Sequence, residues 1–193
     1  MNMTFELHAL GMLEYTSIAK GIESADQMVK TAAITPLFFK TICPGKYLAA
    51  IHGNVAAVTA SIEAGRESGG TAVVDGFILA SVHSQILWAL SGAAKQDDLN
   101  ALGVLETFSA ASIVLAADAA AKAANVTILD IHLAMGLGGK GYAYMTGDVA
   151  AVQAAVKAGE SVIAQSGLLV ASAVIPRPAP NVWNHILGAG VGA

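Results

Sequence analysis

The sequence predicts an α+β protein made of two similar halves, and three observations support this fold class. A segment that begins at Ala9, "ALGMLEYTS", returns at Ala101 as "ALGVLETFS", an offset of 92 residues. Within each half, short apolar runs alternate with amphipathic segments in the same order. Hydrophobic residues make up 55% of the chain and charged residues only 12%, whereas soluble domains typically carry about 25% charged residues. We therefore expect much of the surface to be buried against other chains.

The internal repeat extends well beyond these opening segments. The same offset aligns three further pairs of residues: Asp26 with Asp118, Lys30 with Lys122, and Thr35 with Thr127. The register then shifts by two, because "PGKYLAAIHGNVAAVTASIEAG" ends at Gly65 and "GGKGYAYMTGDVAAVQAAVKAG" ends at Gly159. The two inserted residues must therefore fall between Thr127 and Lys140, and a loop is the simplest place for them.

The first part of each half predicts a strand, a helix and a hairpin. A short apolar run, at about 8–15 and again at 101–108, predicts the first strand. Apolar residues then recur at spacings of four, three and four, which places them on one face of a helix: Ile18, Ile22, Ala25 and Val29. The segments "ITPLFFKTI" and "VTILDIHLAM" are rich in β-forming residues, and "KYLAAIHG" and "KGYAYMTG" follow as the returning strands of two hairpins.

The second part of each half predicts another helix and a fourth strand. Asn54 and Asp148 stand where a helix N-cap belongs. The fourth strand is "AVVDGFIL" or "LLVASAVI", and a short helical piece with a tryptophan follows it. This order, β-α-β-β-α-β, is the split βαβ or ferredoxin-like arrangement, a four-stranded antiparallel sheet with helices on one face. We predict two such domains in tandem, at 1–90 and 101–193, with a linker at 91–100.

Composition and motifs exclude several classes of function. A net charge of -4 and the absence of a Lys/Arg cluster argue against nucleic-acid binding. The most apolar stretch is interrupted by Glu106, Asp118 and Lys122, so no membrane-spanning helix is predicted. One cysteine and no secretory signal fit a reducing cytoplasm. The histidines show no HxxxH or HExxH spacing and no Gly-x-Ser-x-Gly elbow occurs, so we predict no enzyme.

The pattern of both halves resembles the shell domain of bacterial microcompartments. The second half carries that pattern best, in four segments: Ala101–Glu106, Ala117–Val126, Gly138–Gly159 and Val174–Pro178. The first half follows it from Ala9 to Gly65 but lacks the closing Pro-Arg-Pro. Two tandem domains are typical of the trimer-forming shell proteins. The resemblance implies a homotrimer in the bacterial cytoplasm, a flat pseudohexagonal tile of the shell whose hairpin loops converge on a central pore.

Cys43, the only cysteine, lies in "TICPGKY" before Pro44 and Gly45, which mark a turn. Taken alone, a free cysteine is most often a small buried hydrophobe. Around a threefold axis, however, three copies could supply three thiolates to a 4Fe-4S cluster shared by three chains. Such clusters usually take four cysteines, so the fourth iron would need water, a small molecule or a partner protein as its ligand. The chain most resembles the iron–sulfur shell proteins of propanediol-utilisation microcompartments, which carry Cys-Pro-Gly-Lys at this loop.

Two alternatives to a cluster-bearing tile remain open at this point. The first keeps the tile but makes its centre a cluster-free metabolite pore lined by Cys43, Pro44 and Gly45. The second is a regulatory trimer with a ferredoxin-like fold that binds a small molecule and does not assemble into sheets.

The second hairpin loop, "MGLGGKGY", places Met135 where the first loop has Cys43. We expect no second cluster ligand there. The glycines resemble a phosphate-binding loop, but a dinucleotide fingerprint requires a helix after its last glycine, and here a strand follows. We expect Met135, Gly136, Leu137 and Gly138 to line the pore together with Pro44 and Gly45.

Four residues are candidates for contacts at the tile edge. Lys30 and Lys122 end the first helix of each domain, where a cation complements the helix dipole. The resemblance adds that such lysines lie at tile edges, and that Arg177 is the edge arginine; the counterpart region in the first domain offers His83. The implied partners are other shell proteins. An electron-transferring or cluster-delivering pore would add an encapsulated redox enzyme.

Overall fold

The computed structural model describes residues 9–92 and 99–188, so the middle of the linker and both chain ends lie outside the described residues. The described part of the first domain contains four strands and three α-helices: β1 (Ala9–Tyr15), α1 (Ile18–Thr31), β2 (Thr35–Ile42), β3 (Lys46–Gly53), α2 (Val55–Gly69), β4 (Val73–Leu79) and α3 (Ser84–Leu90). The second domain repeats them: β5 (Ala101–Thr107), α4 (Ala110–Ala123), β6 (Thr127–Leu133), β7 (Gly141–Gly147), α5 (Val149–Ile163), β8 (Leu169–Ile175) and α6 (Pro180–Gly188).

Each domain forms one antiparallel sheet, with strand order β2-β3-β1-β4 in the first and β6-β7-β5-β8 in the second. Every pairing between adjacent strands is antiparallel. This is the strand order of the split βαβ arrangement, so the predicted fold class is confirmed. The helix N-caps lie at matching positions, with Ser17 before α1 and Ser109 before α4.

The two long helices of each domain cover the same face of its sheet. Side chains alternate between the faces of a strand, and in β1 the odd-numbered residues face α1 and α2. Gly11 lies directly beneath α2, where a Cβ atom would come within 2.6 Å of Ile62. Only glycine permits so close an approach of helix and strand. We call this the helix face of the sheet, and we call the side that carries Leu10, Met12 and Glu14 the opposite face.

The short third helices differ from the prediction that all helices lie on one face. In the second domain, α6 packs on the opposite face, where Trp183 is buried against Leu102 and Leu129. In the first domain, α3 lies against β6 of the second domain, and the side chain of Gln85 bonds the backbone of Val126 and Ile128 there. The opposite faces carry apolar residues, so the chain covers them with its remaining helices.

The domains are joined where the N-terminus of α4 meets the opposite face of the first sheet. Glu14 is fully buried, and its Oε2 accepts the backbone N–H groups of Ala110 at 2.8 Å and Ala111 at 3.2 Å. The Ser109 hydroxyl oxygen lies 3.0 Å from the same oxygen. Lys46 pairs with Oε1 at 2.7 Å. A carboxylate at a helix N-terminus satisfies free N–H groups and complements the helix dipole.

Further contacts hold both ends of α4 on the first domain. Near its N-terminus, Asp75 of β4 accepts hydrogen bonds from the hydroxyls of Ser109 and Ser112. Near its C-terminus, buried Asp118 accepts the backbone N–H of His83 at 2.7 Å. Lys122 donates to the Ser81 carbonyl and pairs with Asp118. We call this set of contacts, from Glu14 to Lys122, the internal junction.

Replacing Glu14 with alanine should destabilise the folded chain. The variant leaves the N–H groups of Ala110 and Ala111 and the Lys46 ammonium without their buried partner. Loss of such a partner costs about 2–4 kcal/mol. Chemical unfolding at fixed protein concentration measures the effect. Glu67→Ala, which removes an exposed carboxyl from α2, should change stability by less than about 0.5 kcal/mol. Equal effects of the two substitutions would contradict the role given to Glu14.

Candidate functional site

The two hairpin loops differ in length by two residues. Thr41 pairs with Tyr47 near the base of the first loop, and Leu133 pairs with Gly141 at the equivalent place in the second. Because the second pair encloses two more residues than the first, the insertion seen in the sequence lies inside this loop. Its backbone has positive φ angles at Ala134, Gly136, Gly138 and Gly139. Such angles favour glycine.

The two loops of one chain lie against each other. A Cβ atom on Gly139 would be 3.1 Å from Pro44 Cδ and 3.5 Å from the Cys43 carbonyl oxygen. The same position is 3.4 Å from Lys46 Nζ. Gly139 is buried although its neighbours in the loop are largely exposed. The glycine therefore allows the loops of the two domains to meet.

The structure brings the residues predicted to line a pore into these two adjacent loops. Cys43 is half-buried. The other predicted residues of the two loops are exposed, except Leu137, which is half-buried: Pro44, Gly45, Met135, Gly136 and Gly138. Around Gly136 and Gly138, space for a Cβ atom is open. Whether the loops surround a pore depends on other chains, so the pore stays a prediction.

A polar and aromatic row beside the second loop was missed by the sequence analysis. His132 stacks on Tyr142, with ring centroids 4.9 Å apart and planes 3° apart. Its Nε2 donates to the Met135 carbonyl oxygen at 3.1 Å. Asp130 stands opposite Tyr144 in the same pair of strands. The signal was present in the alternation of Asp130 with His132 and of Tyr142 with Tyr144, which puts all four on one face.

Burial alters the proton affinities of this row. Desolvation raises the pKa of the Asp130 carboxyl, and His132 and the Ile131 backbone N–H partly offset the rise. Burial raises the pKa of Tyr142 to about 12, with Tyr144 and Asp130 adding to the effect. The pKa of Tyr144 is also raised, first by burial and then by Asp130. Both phenols are therefore neutral hydrogen-bonding groups at physiological pH.

A second surface of interest is an open counterpart of the internal junction. On α1, three apolar side chains are exposed by 38%, 53% and 43%: Ile18, Ile22 and Val29. Their counterparts on α4 are 0%, 0% and 7% exposed: Ala110, Val114 and Ala121. On the sheets, the side chain of Glu106 is 34% exposed, whereas its counterpart Glu14 is fully buried. The residues that α4 contributes to the junction thus have exposed counterparts on α1. Glu106 is the partly exposed counterpart of Glu14 on the second sheet, where α6 covers only the part of the opposite face around Leu102, Leu129 and Val104.

The four candidate edge residues lie in different settings. Lys30 is exposed and pairs with Asp26. Lys122 is partly exposed but also belongs to the internal junction. Arg177 is exposed. The His83 ring accepts the N–H of Gln85 at the start of α3.

The pairs Leu10 with Leu79 and Leu102 with Ile175 align Arg177 with Ser81, so His83 is not its counterpart. The edge roles of all four stay predictions.

Within the described part of the chain, no group of three or more His, Cys, Asp or Glu side chains could hold a metal ion. A site at Cys43 would therefore need more than one chain. In the same ranges, no helix is both long and apolar enough to cross a membrane.

Comparisons with known proteins agree on one family. The BMC domain matches residues 9–82 and again 101–178. The bacterial microcompartment shell protein PduT of Citrobacter freundii is 44% identical over 179 residues, which cover 93% of this chain and 97% of that protein. A microcompartment protein of Desulfitobacterium hafniense has a solved structure that superimposes with a TM-score of 0.82 and 45% identity, covering 91% of this chain and 98% of that one. The fused permuted shell protein MSM0275, at a TM-score of 0.61 and 24% identity over 81% of each chain, shares the fold.

The Asp130 carboxyl should make the free energy of unfolding fall as pH rises. Its pKa in the folded chain lies above the ordinary value of 3.8, so the folded state binds this proton more tightly than the unfolded state. The resulting stabilisation is complete below about pH 3.8 and is lost as pH rises through the folded pKa. Asp130→Asn should remove this contribution and raise the melting temperature at neutral pH relative to the parent chain. Melting temperatures across pH measure it, with Glu63→Gln on α2 as an exposed control. A steeper loss with pH in Asp130→Asn would contradict the assignment.

Proposed function

The chain belongs to the BMC-domain family, and on this premise we propose that three copies form a shell tile with a Cys43-bound iron–sulfur cluster at its centre. The chain is a structural shell protein of a bacterial microcompartment. This favours the shell tile over the regulatory trimer as the form of the protein. The trimer and the cluster are the proposal, and the proposed location is the shell in the bacterial cytoplasm.

One observation carries the proposal: the chain contains one internal junction and displays both faces of a second. In the internal junction, Glu14 receives the N-terminus of α4. Glu106 occupies the same strand position in the second sheet and pairs with Lys140 at 2.9 Å, as Glu14 pairs with Lys46. The matching helix N-terminus, capped by Ser17, begins α1 and is exposed. Glu106 of one chain can therefore receive α1 of the next chain.

A contact of this kind joins chains head to tail. Heterologous contacts close into rings when the rotation between subunits permits. Six domains in a ring require three chains, because each chain supplies two. The exposed apolar residues of α1 would then be buried, which accounts for a chain with only 12% charged residues.

The same geometry gathers the hairpin loops around one axis. Within a chain, the second loop contacts the first at Gly139 and Pro44. Repetition of that relation between chains places six loops around the centre, with Cys43 and Met135 at alternate positions. Three thiols then face one another, although each chain has only one.

Cys43 fits an iron–sulfur cluster by the chemistry of its side chain. Thiolates are the usual ligands of such clusters, and the half-buried thiol at a loop tip is accessible to partners. Three thiolates leave one iron for water, a small molecule or a partner protein. A bound cluster supplies one-electron transfer. The tile would serve electron transfer across the shell or delivery of clusters to an encapsulated redox enzyme.

The exposed rim would contact other shell proteins. Lys30 and Arg177 are exposed and suit this role. Lys122 is held by the Ser81 carbonyl in the internal junction, so its substitution would affect the chain itself as well as any edge contact.

Cys43→Ser should abolish iron binding and leave the trimer intact. Anaerobically reconstituted wild-type protein should contain one 4Fe-4S cluster per three chains and absorb broadly in the visible range, because each chain supplies one thiolate. The measurements are iron, acid-labile sulfide and absorption. Met135→Leu, a change at the equivalent place in the other loop, should keep the cluster. If wild-type protein takes up no cluster without oxygen, the cluster-free metabolite pore is the correct description.

Glu106→Ala should weaken trimer formation more than it destabilises the chain. In a single chain, the ion pair of Glu106 and Lys140 is partly exposed and contributes less than about 1 kcal/mol. In the trimer, the substitution removes the acceptor for the N-terminus of α1, which should raise the trimer dissociation constant about tenfold or more. Sedimentation over a dilution series measures this, with Glu63→Ala as the control. A wild-type chain that stays monomeric at micromolar concentration would refute the tile.

A further inference from the structure

The side chains that α4 contributes to the internal junction differ systematically in size from their counterparts on α1. The residues buried on α4 but exposed at the equivalent positions of α1 define this face. On α4 they are small: Ala110, Ala111, Ser112, Val114, Asp118 and Ala121. On α1 three of them are replaced by larger apolar side chains, Ile18, Ile22 and Val29, which are all exposed.

The sheet residues differ in the opposite direction, because those of the first sheet are larger than their counterparts in the second. In the internal junction, α4 seats on β1 and β4, where Met12 and Phe77 form a cross-strand pair and are buried. The corresponding pair in the second sheet is Val104 with Ala173, and Ala173 is exposed. Helix and sheet have therefore changed size in compensating directions. The larger residues Tyr142 and Tyr144 lie on β7, directly across from Glu106 and Val104, so they border the seat along β5 and leave the β8 side, at Ala173, small.

These differences make the two contacts poorly interchangeable. Setting α1 on the first sheet would place Ile18 and Ile22 against Met12 and Phe77, and overpacking is destabilising. Setting α4 on the second sheet would place alanines against Val104 and Ala173, and the resulting cavity is also destabilising. Charge does not favour the same selection. If α1 lay on the first sheet, the Lys20 ammonium would meet the Asp75 carboxylate, which is an attractive contact.

We propose that α1 of a second copy of this chain is the specific occupant of the β5–β8 seat, selected by size over helices with the dimensions of α4. The inference rests on the proposed trimer and adds the rule by which its domains alternate. A helix with small residues, such as that of a foreign shell protein, leaves the seat underfilled. The seat therefore admits α1 of another copy and excludes helices with the dimensions of α4.

A double-mutant cycle at this seat tests the rule. Ala173→Phe copies Phe77 onto β8 and should raise the trimer dissociation constant about tenfold, because the enlarged sheet collides with the isoleucines. Ile18→Ala with Ile22→Val copies α4 onto α1 and should also raise it about tenfold through lost packing. Combined, the changes recreate the size pattern of the internal junction, and the constant should return to within about threefold of wild type.

The controls separate this rule from the trimer itself. Ala154→Phe adds the same side chain at an exposed position of α5 and should leave association unchanged. Ala173→Leu gives the same cycle if Ala173→Phe does not fold. Sedimentation of each variant over a dilution series measures the constants. A monomeric wild type refutes the trimer. A trimeric wild type whose variants are additive, or whose Ala173→Phe variant associates normally, refutes size selection and leaves the trimer standing.

Discussion

The buried carboxylate of Glu14 joins the two domains and fixes how their loops meet. It binds the first N–H groups of α4, a helix of the other domain, and it also binds Lys46, the first residue after the Cys43 loop. The Lys46 ammonium in turn lies close to Gly139 of the second loop. Domain orientation and loop contact are thus coupled through one side chain. Because the group is fully buried, its partners must be present for the fold to tolerate its charge.

Equivalent residues in the two similar halves of the chain occupy very different environments. Asp118 is buried and bonded to the first domain, whereas Asp26, its counterpart, is exposed. The same contrast holds for Ser109 against Ser17 and for Glu14 against Glu106. A duplicated sequence therefore places one set of residues inside the chain and the equivalent set on its surface. The counterparts also differ in size, since Ile18, Ile22 and Val29 on α1 stand where α4 has Ala110, Val114 and Ala121.

The strands, the long helices and the loop position of Cys43 could be predicted from sequence, because periodicity, N-cap residues and Pro-Gly turns are local signals. The internal junction could not be predicted from sequence. Glu14 and Glu106 occupy equivalent positions in the repeat, and they differ in that α4 covers Glu14 whereas Glu106 is partly exposed. The packing of α6 on the opposite face depends on tertiary burial of Trp183, which a short amphipathic segment does not reveal. Strand pairing aligns Arg177 with Ser81, in the region that also contains His83, and the edge role of His83 stays a prediction.

The unequal lengths of the two hairpin loops bear on how such a ring can evolve. If each domain were a separate protein, one codon change would alter all six positions around the axis. In the proposed trimer of fused chains it alters three, so a thiol can appear at every second position while Met135 and a longer glycine loop occupy the others. After duplication, mutations can change the three loop positions of the first domain and the three of the second domain independently. A central site with three thiol ligands can therefore arise by a single mutation. In a ring of six identical domains the same mutation would change all six positions.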